Sequence, residues 1–145
     1  QHNKKIYIVF TGKEFDSRDP YYAENIKKDV NSFGLQNSCC FLGFIPRNDQ
    51  IEIMKKSVAI IQPSLFEGWN TSIEDAKVLQ KIIIASNLSV HREQLGSKGL
   101  YFDPNSADEL ANLLDSVYLS DDLFVNYDYS SQIIKYETLV QELFT

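Results

Sequence analysis

Two short apolar runs, Val58-Ala59-Ile60-Ile61-Gln62 and Ile82-Ile83-Ile84-Ala85, bracket a polar turn and a helical segment. Apolar runs of this length without polar alternation mark strands covered on both faces. Two such strands joined by a helix form a right-handed crossover unit, and the intervening turn then lies at the carboxyl end of the first strand. That edge is where open α/β sheets bind ligands. This one unit therefore constrains both the fold and the place to look for function.

The same alternation runs along the chain. Lys5 to Thr11 reads as a strand closed by Gly12. Tyr22, Ile26, Val30 and Phe33 follow at helical spacing, with Gly34 as the stop. Cys39 to Phe44 is the next strand, and Asn48 is positioned to cap a helix whose Ile51, Ile53 and Met54 face inward. After the fourth strand comes a short helix around His91 to Leu95, then a brief strand at Leu100-Tyr101-Phe102. Ser106 to Tyr118 is amphipathic through Leu110, Leu113, Leu114 and Val117, and Ser106 with Glu109 fits a capping box. An acidic connector at 120–122 leads to a last helix carrying Ile133, Tyr136, Val140, Leu143 and Phe144 on one face. Strands alternating with helices imply a three-layer α/β domain with a parallel sheet.

At 145 residues the chain is sized for one domain, 1–145, and the hydrophobic fraction of 43% supplies a core. A net charge of −6 argues against nucleic acid as a partner, because phosphate neutralisation needs clustered Lys and Arg. No apolar run approaches the length of a transmembrane segment, and no signal-peptide pattern opens the sequence. The adjacent Cys39 and Cys40 sit in an apolar run and read as buried, reduced thiols, which suits the cytosol. His91-Arg92-Glu93 reads as a solvated helix start, and Lys13 as a solvated lysine at a strand end.

The turn Glu67-Gly68-Trp69-Asn70-Thr71-Ser72 leads into Ile73-Glu74-Asp75-Ala76. Thr71 and Glu74 stand at capping-box spacing, which assigns Glu74 to the helix start and leaves Asp75 to face the crevice. Glu67 projects from the end of the strand into the same space. Carboxylates accept hydrogen bonds from sugar or ribose hydroxyls, and the helix-start amides at Asn70 to Ser72 suit a phosphate. Acid-rich helix starts also arise simply because they complement the helix dipole, so spacing alone leaves both readings open. Trp69 can stack on a sugar or plug the turn.

Pro63-Ser64-x-x-Glu67-Gly68-Trp69 followed by Ile73-Glu74-Asp75-Ala76 resembles the donor-site signature of the retaining glycosyltransferases of family 4. That signature has an acid, a glycine-rich turn, and a second acid eight positions after the first. The flanks agree: Ile8-Val9-Phe10-Thr11-Gly12, Phe41-Leu42-Gly43-Phe44-Ile45-Pro46, Ile83-x-Ala85-Ser86 and Gly99-Leu100-Tyr101-Phe102-Asp103-Pro104 are similar to successive family elements, from about Lys5 to Leu114. Two departures stand out. The second acid is Asp75 rather than the commoner glutamate, and Asn70-Thr71-Ser72 replaces the usual Gly-Leu-Pro.

The resemblance implies a Rossmann-like domain that is half of a two-Rossmann-domain enzyme, with the acceptor domain and this domain's own first strand and loop outside the chain. It implies Glu67 as the catalytic acid facing the donor sugar and Asp75 as the ribose ligand. Gly68, Trp69, Asn70, Thr71 and Glu74 would surround the donor, and Phe44 and Ile45 would line the base pocket. The donor would be a nucleotide diphosphate sugar, used without metal or other cofactor, and the acceptor a saccharide or lipid-linked glycan bound by the other domain. The expected setting is polysaccharide biosynthesis in the cytoplasm, or at the inner membrane face through the other domain. A non-catalytic nucleotide-sugar-binding module and a sugar-nucleotide epimerase of similar architecture are the competing expectations.

Overall fold

A computed structural model of the protein describes residues 5–120 and 125–127. The chain divides into two compact units, Gln1–Ile53 and Met54–Thr145. The helix expected around Ile133 to Phe144 lies outside the described residues.

In the first unit, β1 (Ile8–Thr11) pairs in parallel with β2 (Cys39–Gly43), Ile8 opposite Cys39 and Thr11 opposite Gly43. Phe10 and Phe41 stack across the pair with ring centroids 4.5 Å apart. Between the strands runs α1 (Tyr22–Ser32). It ends as its glycine requires: Gly34 has φ +70°, and the Leu35 N–H returns to Val30 O at 2.9 Å. The helix α2 (Arg47–Lys56) starts earlier than Asn48. Its first bond runs from Gln50 N–H to Pro46 O at 3.1 Å, so Asn48 sits inside the first turn and is not its cap.

The cysteine expectation needs correcting. Both thiols are free, but Cys39 is half-buried and Cys40 is exposed. Consecutive strand residues point to opposite faces, and the side chains of β2 alternate between half-buried and exposed. The expectation of continuously covered strands therefore fails for β1 and β2.

It holds in the second unit. There β3 (Ala59–Gln62), β4 (Ile82–Ser86) and β5 (Leu100–Phe102) form a parallel sheet in the order β3-β4-β5. Every residue of β4, the central strand, is buried. Ile82 and Ile84 point to one face, where they pack with Phe102, Val117 and the Leu110, Leu113 and Leu114 of α5 (Ala107–Leu119). Ile83 and Ala85 point to the other, which α3 (Thr71–Val78) covers with its fully buried Ile73 and Ala76. Helices on both faces of one parallel sheet make this unit a three-layer α/β sandwich.

The helix ends explain the connections. At α5, Ser106 Oγ accepts from the Glu109 N–H at 3.2 Å, as a capping box requires. The reciprocal arm differs, because Glu109 Oε2 accepts from the Asp103 N–H at 2.7 Å. At the end of α3, Gln80 adopts φ +55°, a left-handed position that costs a non-glycine residue strain. Its side chain offsets this by clasping the Tyr127 peptide, Nε2 donating to Tyr127 O at 3.1 Å and Oε1 accepting from Tyr127 N–H at 2.8 Å. Among the described residues no helix is long and apolar enough to cross a membrane.

Candidate functional site

The loop from Pro63 to Asn70 leaves the carboxyl end of β3 and enters α3. Its geometry is set by Asn70, which is buried and extended and serves as the N-cap. Asn70 Oδ1 accepts from the Ile73 N–H at 3.1 Å, and Asn70 Nδ2 donates to Glu67 Oε2 at 3.0 Å. Ser64 Oγ adds a second donor to Glu67 Oε2 at 3.3 Å. The proposed first acid of the turn is thus held by two neutral donors, and half-buried.

This corrects the expected cap. Thr71 is the first helical residue and is exposed, so the box assigned to Thr71 and Glu74 does not form. Asn, Thr and Ser in succession are all good caps; Asn70 takes the role because it alone precedes the helix with its side chain buried. Glu74 is nevertheless engaged structurally. Its Oε2 pairs with Lys77 Nζ at 2.8 Å, where the Lys77 side chain is only 5% exposed, and its Oε1 accepts from Gln94 Nε2 at 2.8 Å. Asp75 is half-buried and follows Glu74 on α3, about 100° further round the helix. Gly68 is exposed, and Trp69 is 51% exposed, so the indole does not plug the turn.

Not every amide of the turn is available. The Asn70 N–H goes to Gln94 Oε1 at 3.3 Å, and that of Ile73 to the cap. The Thr71 and Ser72 N–H groups have no intrahelical acceptor, as at any helix start, and lie at the positive end of the α3 dipole.

The sequence reading missed what lies behind the turn. The helix α4 (Ser89–Leu95) contributes His91, Gln94 and Leu95 as a buried stripe. His91, expected to be solvated, is 0% exposed. Its Nδ1 lies 2.8 Å from Ser86 O, and a carbonyl only accepts, so Nδ1 carries a proton there. Ser86 Oγ in turn donates to Ser64 O at 2.6 Å, tying the end of β4 to the loop that presents Glu67. The spacing i, i+3, i+4 of His91, Gln94 and Leu95 was the available signal, masked by two polar residue types.

Phe44 and Ile45 belong to the first unit. Gly43, with φ +64°, turns the chain out of β2, leaving Phe44 78% exposed and Ile45 half-buried. Phe44 joins Lys13, Glu14, Phe15, Asp16 and Ser17 around an open depression of about 680 Å³ at the carboxyl ends of β1 and β2. An Arg18 guanidinium 2.6 Å from Asp16 holds that carboxyl down at about 2.

Residues 1–137 match the family described as Glycosyl transferases group 1, and the chain belongs to that family. Over 78 residues it is 31% identical to the O-antigen chain mannosyltransferase B of Escherichia coli, which covers 53% of this chain and 20% of that protein. A glycosyltransferase structure from Rickettsia africae superposes with a TM-score of 0.71 at 25% identity, covering 81% of this chain and 31% of that one. Anabaena Alr3699/HepE, solved in complex with UDP, gives 0.69 at 22% identity, covering 78% and 31%. The chain thus spans between a fifth and a third of the length of these relatives. The α/β Rossmann-like architecture is common to them.

Proposed function

We propose that this chain is the nucleotide-sugar-binding part of a glycosyltransferase that moves a sugar from a nucleotide diphosphate donor to a saccharide or lipid-linked acceptor, with retention at the anomeric carbon. The observation that carries the reading is the turn from Glu67 to Asp75, an acid held by Asn70 and Ser64 beside a capped helix start at the carboxyl end of a parallel sheet. Family membership and the UDP complex of the Anabaena relative support it.

In this reading the diphosphate lies against the Thr71 and Ser72 N–H groups. The bond between the anomeric carbon and the phosphate oxygen breaks, and its electron pair stays on the diphosphate, where amide donors and the α3 dipole stabilise the growing charge. The acceptor oxygen bonds to the same face of the sugar and its proton passes to the departing phosphate oxygen. Glu67 accepts from sugar hydroxyls, and Asp75 from the ribose. Gly68 gives the donor close approach to the backbone, and Trp69 offers an aromatic wall. Glu74 acts through Lys77 and Gln94, supporting the turn without touching the donor. The scheme uses no metal or other cofactor. The O-antigen relative supports polysaccharide assembly as the setting, with the enzyme in the cytoplasm or at the inner membrane face.

Titration of the complete transferase with nucleotide sugars tests the reading. Asp75→Ala should weaken donor binding by about 1.5–3 kcal/mol, the range for a hydrogen bond to a charged group. Unchanged binding in that variant would reject Asp75 as a donor ligand.

A further inference from the structure

Gln94 contacts no part of the donor in the scheme above, yet its side chain makes three hydrogen bonds beneath the turn. It lies on α4 and is 5% exposed. Its amide bridges the backbone of Asn70 on either side of Cα: Nε2 donates to Asn70 O at 2.9 Å, and Oε1 accepts from the Asn70 N–H at 3.3 Å. The same Nε2 also donates to Glu74 Oε1 at 2.8 Å. Both amide hydrogens and an oxygen lone pair are thereby used, a full match of donors to acceptors in a buried place.

The consequence falls on Asn70. Those two groups belong to the peptides on either side of the Asn70 Cα, so holding both restricts the backbone torsions of Asn70 and aims its side chain. Its Oδ1 stays on the Ile73 N–H and its Nδ2 stays on Glu67 Oε2. We infer that Gln94 is a positioning residue for the transfer reaction: through Asn70 it fixes the orientation of Glu67, and so controls how the sugar end of the donor is held. The inference rests on the reading of Glu67 as the sugar-facing acid. Asp75 lies about 100° round α3 from Glu74, so the ribose end of the donor stands apart from this relay, and the diphosphate is common to the nucleotide sugar and the nucleoside diphosphate alike. Loss of Gln94 should therefore weaken the sugar-bearing ligand more than the nucleoside diphosphate, a pattern that loosening of the whole fold would not produce.

The test compares nucleoside diphosphate with nucleotide sugar on the full 145-residue chain. UDP and UDP-glucose, and in parallel GDP and GDP-mannose, are titrated calorimetrically against the unaltered chain, Gln94→Ala and Gln94→Met. The methionine variant keeps the volume of the side chain but none of its hydrogen bonds, and serves where the alanine variant fails to fold. The quantity read is the ratio of the nucleoside diphosphate Kd to the nucleotide-sugar Kd. In both variants this ratio should fall by about tenfold, as for a lost charge-assisted hydrogen bond, because any loosening at the shared diphosphate cancels in it. Equal weakening of both ligands, or no weakening, would overturn the inference and leave Gln94 as scaffold. Failure of the unaltered chain to bind either pair would instead overturn the donor-site reading, and the inference with it.

Discussion

Asn70 carries two roles that substitution can separate. Asn70→Ala removes the acceptor for the Ile73 N–H, 3.1 Å away, and the donor to Glu67, 3.0 Å away. Loss of a helix N-cap costs about 1 kcal/mol. The bond to Glu67 is charge-assisted, but that acid is half-exposed, so solvent reduces its share to about 1 kcal/mol as well. The sum is about 2 kcal/mol, a fall in Tm of roughly 6 °C for a chain of this size. Asn70→Asp keeps the cap and adds a favourable anion at the helix start, but it sets a carboxylate against Glu67. It should melt between the wild type and the alanine variant at pH 7. Thr71→Ala, at an exposed first helical position, should stay within about 0.5 kcal/mol of wild type. Thermal melts of the three variants decide the matter. A larger loss for Thr71→Ala than for Asn70→Ala would refute the assignment of the cap, and an Asn70→Asp variant that melts at or above the wild type would refute the bond to Glu67.

Glu74→Ala takes the carboxylate away from the buried Lys77 ammonium and should cost about 2 kcal/mol, less than a fully buried pair because Glu74 is partly exposed; urea melts measure it. Burial raises the Tyr127 hydroxyl to about 12, and its oxygen has no hydrogen-bond partner among the described residues. A folded value above the unfolded one near 10 means stability intact below pH 10 and lost as pH rises toward 12. Tyr127→Phe should therefore be neutral or stabilising at pH 7 and should flatten the alkaline loss, read by melts from pH 8 to 11. The isolated chain should show no sugar transfer with any donor and saccharide acceptor, because the reading requires a cleft closed by a second domain; turnover by pure protein of this length would overturn that.

The sheet was legible because its signals are local. The run Ile82 to Ala85 read as a doubly covered strand, Gly34 could stop a helix in the left-handed region, and Ser106 stood at capping-box spacing from Glu109. Where several residues compete for one role, the sequence ran out. Asn70-Thr71-Ser72 offers three caps in a row, and burial behind the turn selected the first. The braces of the site were hidden because they are polar residues in buried positions. Lys77 shares the spacing of Ile73 and Ala76, and His91 and Gln94 share that of Leu95, but their charged and polar groups masked both stripes. Cys39 and Cys40 show the converse, an apolar run of which only alternate residues are covered.

The most direct measurement is a crystal structure of the complete transferase soaked with UDP-glucose or GDP-mannose. The account predicts the diphosphate within hydrogen-bond distance of the Thr71 and Ser72 N–H groups, the ribose hydroxyls on Asp75, and the sugar on Glu67. A nucleotide sugar bound in ordered density elsewhere, with Glu67 and Asp75 making no contact to it, would contradict the account.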